Sequence, residues 1–159
     1  MPFTFGIASQ LKLAGVTPSM VQLANWAIGR SPVDFTILWG WRGEADQTLM
    51  VRTGASKTPW PHSKHNARTG AARLPDSQAV DFAPWIEGNI PWEDTHVFAV
   101  IAGVFFTGFH VLRAADPHFA EGLALRWGGD WDRDGRTKDQ TFMDWGHLEL
   151  APVGTSGSD

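Results

Sequence analysis

Two histidines and an aspartate stand out as groups able to hold a metal: His65 after Ser63-Lys64, Asp81 in Ala79-Val80-Asp81, and His147 in Asp144-Trp145-Gly146-His147. Each falls where a strand is expected to begin or end. The chain has no cysteine, so disulfides and thiolate ligands are excluded and any metal must be held by His, Asp or Glu. Two His and one carboxylate are a recurrent set for catalytic zinc. Three protein ligands leave a fourth position for water, whose pKa falls to about 7, so that hydroxide is available near neutral pH. A base is then required, and Asp144, three residues before His147, is placed to face that water without ligating the metal. His62 is an alternative ligand to His65. His96, His110 and His118 lie on or just after a long helix and read as surface or satisfied core residues, not ligands.

A second cluster, Asp130-Trp131-Asp132-Arg133-Asp134-Gly135, has the opening of a calcium loop, in which alternating carboxylates surround the ion and Gly makes the turn. The twelfth position is Thr141 in place of Glu and the ninth is Lys138, which argues against an EF-hand proper, although Asp139 can supply the missing charge. Calcium binding and a solvated acidic turn both remain open. The segment joins Trp127 and Trp131 to Asp144, so ordering it would help position the base. The chain has nine Trp and no Tyr, which points to a ligand groove where other signals converge and to core filling elsewhere. Trp127 and Trp131 are the candidates for the groove.

The elements that must position these groups can be read from periodicity. Residues 18–28 form a helix with Thr17 as N-cap and Pro18 at its first position, ended by Gly29. Residues 34–41 (DFTILWGW) read as a strand and 43–51 as a short helix. From 54 to 78 the composition turns to Gly, Pro, Ser, Lys, Arg and His, a long loop of the kind that is usually functional. Strand character resumes at 78–82. Residues 95–115 form the longest helix, with Val97, Ile101, Val104, Phe105, Phe109 and Leu112 on an apolar stripe. Residues 123–127 and 147–150 read as strands, and residues 152–159 as a disordered tail after a catalytic domain spanning 1–151. Helices and short strands without regular alternation give an α+β fold in one domain.

At 159 residues such a domain buries roughly 70% of the surface its unfolded chain would expose. Thirteen basic residues are scattered among 17 acidic ones, for a formal charge of −4, so nucleic acid is not an expected partner. The N-terminus lacks a signal-peptide pattern and no apolar run is read as reaching the roughly 20 residues of a membrane span, so synthesis in the cytosol and no membrane insertion are expected.

The motifs Ser63-Lys64-His65, Ala79-Val80-Asp81 and Asp144-Trp145-Gly146-His147-Leu148-Glu149-Leu150 together resemble the zinc D-alanyl-D-alanine carboxypeptidase and L-alanyl-D-glutamate endopeptidase family, in particular its phage endolysins. The likeness extends, in order, through Phe5-Gly6 with Ser9, Ser31-Pro32-Val33-Asp34-Phe35, Gly40-Trp41-Arg42, Gln47, Gly54-Ala55-Ser56-Lys57-Thr58 and Arg126-Trp127-Gly128-Gly129-Asp130-Trp131. The resemblance implies an α+β fold of hedgehog/D-Ala-D-Ala-peptidase type with a small antiparallel sheet. It implies one catalytic zinc on His65, Asp81 and His147, with Asp144 as general base and acid. It further implies that Arg42 stabilises the oxyanion formed when hydroxide attacks the amide, a contact worth roughly 3 kcal/mol. Gln47 would contact substrate or orient Arg42, and Ser63 would hydrogen-bond near the metal.

Two features depart from the family pattern. His65 and Asp81 lie sixteen positions apart, where the family usually keeps them closer, so residues 66–77 contain an insertion. It would form a flap that brings Arg68 and Arg73 to the stem peptide, or a solvated loop. Trp39 stands where an acidic residue is expected before Gly-x-Arg, which leaves open how Arg42 is held. The resulting expectation is a monomeric endolysin acting on peptidoglycan from the periplasmic side of the host, cutting L-Ala–D-Glu. The alternatives are removal of the terminal D-Ala, or a zinc-containing or calcium-dependent module that binds without turnover.

Overall fold

The computed structural model describes residues 1–154. Its centre is a four-stranded antiparallel sheet in the order β1 (Phe35–Trp39), β4 (Ala79–Pro84), β6 (His147–Pro152), β5 (Leu123–Trp127). Side chains alternate across a sheet, so register decides which residues share a face. One face carries Ile37, Val80, Phe82, Leu125, Leu148 and Leu150 into the core. They meet α2 (Pro18–Ile28) and α4 (Thr95–Ala115), whose Leu23, Phe98, Ile101, Phe105 and Phe109 fill the layer. Phe82 and Phe105 are fully buried with ring centroids 5.7 Å apart, and each contributes roughly 2–3 kcal/mol by leaving water. The α+β expectation holds, as do the helices at 18–28 and 95–115.

The apolar run in α4 is longer than the sequence reading allowed. All 21 residues are helical and one stretch reaches a mean hydropathy of 1.8, enough in length and composition to cross a membrane. Here the helix serves as the core helix, with its phenylalanine face turned to the sheet and α2. Arg113 near its end donates to the carbonyls of Phe119 and Leu123, tying α4 to the start of β5.

Three local expectations are corrected. A helix not foreseen, α1 (Ile7–Leu13), lies against β1; it buries Ser9 and Leu13 and leaves Ile7 and Leu11 exposed, so its pattern lacks an apolar stripe. Ser9 is buried because its hydroxyl accepts from the Ile37 amide and pairs with Thr36. The long loop after α3 (Glu44–Arg52) contains a 3-10 turn (Lys64–Asn66) and, within the insertion, a hairpin of β2 (Arg68–Thr69) and β3 (Leu74–Pro75). Finally, β6 runs through Pro152, which pairs with Leu123, so the expected tail does not begin at 152; the remainder of that expectation, 155–159, lies outside the described residues.

Candidate metal centre and cleft

Opposite the core face, the central strands place Asp81 and His147 directly across from each other, and the 3-10 turn brings His65 over them. The turn is held by a reciprocal cap: Ser63 Oγ accepts from the His65 amide, and Asn66 Oδ1 accepts from the Ser63 amide. His65 Nε2, Asp81 Oδ1 and His147 Nδ1 converge at separations of 3.1, 2.9 and 3.3 Å. Donor atoms around a tetrahedral ion with bonds near 2.0–2.1 Å stand roughly 3.3 Å apart. The triangle therefore matches one face of such a site to within a few tenths of an ångström.

The outward ring nitrogens are also committed. His65 Nδ1 donates to the carbonyl of Gly40 at 2.7 Å, which leaves Nε2 its lone pair. Gly40 must lack a side chain, because a Cβ there would stand 2.0 Å from the Lys12 carbonyl at the end of α1. His147 Nε2 faces Glu149 Oε2 at 2.9 Å. Asp81 Oδ2 accepts from Arg42 at 2.7 Å. Electrostatically the pocket calls for positive charge. Burial lowers the pKa of His65. At His147 burial acts the same way but is outweighed by hydrogen bonds to Asp81 and Glu149, which push it up to about 10. Asp81 is held well below the carboxylate range, the effect of burial being overridden by the two histidines. A divalent ion would replace the proton that His147 otherwise shares with Asp81.

These groups floor a cleft of about 220 Å³ lined, among others, by Lys57, His62, Arg126, Trp131, Phe142 and Asp144. Asp144 is partly buried, and burial followed by the charge of Asp81 raises its pKa to about 6. Its backbone is pinned between Gly128 and His147: its amide donates to the Gly128 carbonyl and its carbonyl accepts from the His147 amide. A Cβ at Gly128 would lie 2.2 Å from the Asp144 carbonyl oxygen, so glycine is required.

Arg42 lines the cleft beside the donor triangle. Its guanidinium binds Asp81 and Gln47 and lies 5.3 Å over the Trp39 ring, so Trp39 supplies the support that an acidic residue was expected to give. Its Nε–H is buried with no partner among the described residues. Gln47 is fully buried away from the cleft, accepting from Arg42 and Asn66 and donating to the Thr58 carbonyl. Its amide oxygen is shared between Arg42 and Asn66, the arrangement of a group that orients the guanidinium. Ser63 lines the cleft and caps the His65 turn.

Of the two tryptophans, Trp131 lines the cleft, tilted 5.3 Å from the His147 ring and stacked on Phe142. Trp127 is buried, with its indole N–H on the Trp145 carbonyl, and belongs to the core. His62 borders the cleft outside the ligand triangle. In the inserted segment Arg68 packs over Trp41 and Trp60, and neither Arg68 nor Arg73 is among the residues lining this cleft. Asp130, Asp132 and Asp134 bring carboxylate oxygens within 4.8 Å of one another, without Asp139. Asp130 also accepts from the amides of Asp134 and Gly135. Sequence reasoning gave no role to Glu149, Arg126, Asn66 or the Gly40 carbonyl. The alternation His147-x-Glu149 on one strand was the available signal for Glu149.

Residues 1–151 match the family described as phage L-alanyl-D-glutamate peptidase. The L-alanyl-D-glutamate peptidase of Escherichia phage T5 is 35% identical over 153 residues, 94% of this chain and 99% of that protein. The crystal structure of the Serratia marcescens L-Ala D-Glu endopeptidase ChiX superposes with a TM-score of 0.69 at 27% identity, covering 94% of this chain and 91% of that one. With the match running through nearly the whole sequence and its His, Asp and His motifs gathered in one cleft, the chain belongs to the phage L-alanyl-D-glutamate peptidase family.

Proposed function

We propose that this chain is an endolysin-type peptidase that hydrolyses the L-Ala–D-Glu amide of peptidoglycan stem peptides around one zinc ion held by His65 Nε2, Asp81 Oδ1 and His147 Nδ1. The observation that carries the reading is the donor triangle, with both outer ring nitrogens already engaged by Gly40 and Glu149. Two imidazoles and a carboxylate suit zinc, and three ligands leave room for substrate. When bound, the ion would supply Lewis acidity to the amide carbonyl and to water.

The protein's own groups account for the rest. Asp144 borders the same cleft with a carboxyl poised near 6, suited to take a proton from the attacking water and hand it to the leaving amine. Arg42 holds the second oxygen of Asp81, and its guanidinium hydrogens not used there or on Gln47 are the candidates for the developing oxyanion. Lys57 and Lys64 line the cleft, and among the described residues neither forms an ion pair with a carboxylate; they match the free carboxylates of a stem peptide. The enzyme would be made in the host cytoplasm and act on the wall from the periplasm.

The test is turbidity loss of outer-membrane-stripped cells by chelated protein, before and after zinc is restored, with His147→Ala alongside. Lysis that returns with zinc only in the unmutated protein supports the reading; lysis indifferent to chelation and to the mutation refutes it. Digests of purified wall then identify the bond. A new amino group on D-Glu supports endopeptidase action, whereas released free D-Ala would assign carboxypeptidase action instead.

A further inference from the structure

The two histidines at the centre are locked in different ways. His65 presents Nε2 because a backbone carbonyl, that of Gly40, takes its Nδ1 proton, and no side-chain substitution at the acceptor can alter that. His147 presents the opposite nitrogen, Nδ1, and what takes its Nε2 proton is a side chain, Glu149. Strand alternation puts His147 and Glu149 on the same face of β6, and the register sets Arg126 of β5 directly opposite Glu149. Arg126 donates through both Nε and Nη2 to a single oxygen, Glu149 Oε1, at 3.0 and 2.6 Å. The other oxygen, Oε2, is thereby left for His147, and the pair is nearly closed to solvent.

From this geometry we infer that Arg126 and Glu149 form a positioning pair that selects which ring nitrogen of His147 faces the metal. Neither touches the donor triangle or takes a chemical step. The inference rests on the zinc reading above. A guanidinium has five N–H donors and no acceptor, so whatever atom faces Arg126 must be an oxygen. Glu149 satisfies this with one oxygen and still offers a second acceptor to His147. In Glu149→Gln the amide oxygen must turn to Arg126, and its NH2 then faces His147 Nε2. That nitrogen must then act as an acceptor, which leaves the ring's proton on Nδ1, the atom the metal needs. Removing Arg126 as well frees the amide to rotate, so its oxygen can again accept from Nε2.

The experiment measures zinc affinity by chelator competition and reads the His147 Nε2 proton of the zinc-loaded protein by NMR, with circular dichroism confirming the fold. Metal-ligand supports of this kind typically change affinity 10–100-fold. Glu149→Gln is expected to lose zinc affinity by about that factor. The double variant Arg126→Met/Glu149→Gln is expected to regain most of the loss, with the Nε2 proton of His147 again hydrogen-bonded in the zinc-loaded protein. An E149Q protein that binds zinc as tightly as the unmutated chain overturns the inference, and so does a double variant that recovers nothing. Should E149Q not fold, Arg126→Met/Glu149→Leu replaces both buried charges with apolar groups and removes the lock. Its zinc affinity must then fall by a comparable factor, and unchanged affinity would overturn the proposal. If the unmutated chain binds no zinc, the zinc reading itself fails; if it binds and E149Q equals it, only the positioning role fails.

Discussion

Asp144→Asn should separate what the cleft demands for catalysis from what it costs in stability. The Asp144 carboxyl is displaced from 3.8 to about 6, first because protein closes over it and second because Asp81 is close. A carboxyl raised in the folded state favours folding while protonated. Its contribution is therefore fully present below pH 3.8 and is lost as pH climbs through about 6. The interval corresponds to roughly 3 kcal/mol; because the side chain is partly exposed, about 1–2 kcal/mol is the reasonable expectation at pH 8. Asparagine keeps the shape without the charge, so metal-free Asp144→Asn should be more stable than the metal-free parent by about 1–2 kcal/mol at pH 8. In a domain of this size that raises Tm by about 3–6 °C. The gain should vanish near pH 4. Wall lysis by the zinc-loaded variant should fall at least ~100-fold, as for a lost general base. Urea melts of chelated protein across pH, paired with turbidity assays, give both numbers. A variant no more stable than the parent at pH 8, or a difference that ignores pH, would refute the burial argument; undiminished lysis would refute the role as base.

Zinc loading should release about one proton near pH 7, because the ion displaces the one shared by His147 and Asp81; titration calorimetry in buffers of different ionisation enthalpy reads it directly. Gln47→Ala strands Arg42, Asn66 and the Thr58 carbonyl in a buried place, so urea denaturation should show a loss of about 2–4 kcal/mol and weaker zinc retention. Phe105→Ala opens a cavity between α4 and the sheet and should cost about 3–5 kcal/mol while leaving the zinc affinity of the folded protein unchanged. Lys57→Gln should raise KM for wall fragments more than it lowers kcat, and should flatten the salt dependence of lysis; a mutant with the parent's salt response would show that Lys57 does not meet the substrate.

Much was already visible in the amino-acid sequence. The phenylalanine stripe of α4 and the Thr17-Pro18 start of α2 announce their helices because those signals are local and periodic. His65, Asp81, His147 and Asp144 could be named because, without cysteine, few residue types can hold zinc, and these sit in short motifs with a family likeness. Other features depended on partners distant in sequence. Helix α1 turns a serine inward, and only Thr36 and the Ile37 amide, 27 and 28 residues away, explain why. Gln47 could be read as touching substrate or orienting Arg42, and its burial against Ser56 and Thr58 depends on a loop that the local sequence does not place. Trp127 and Trp131 are alike in composition and spacing, yet burial assigns one to the core and the other to the cleft. Arg126 and Glu149 are distant ordinary charges until the β5–β6 register sets them face to face. Short-range sterics and periodicity determine elements and candidate ligands, whereas the state of a buried polar group depends on what tertiary packing puts against it, and that was decided only when the strands met.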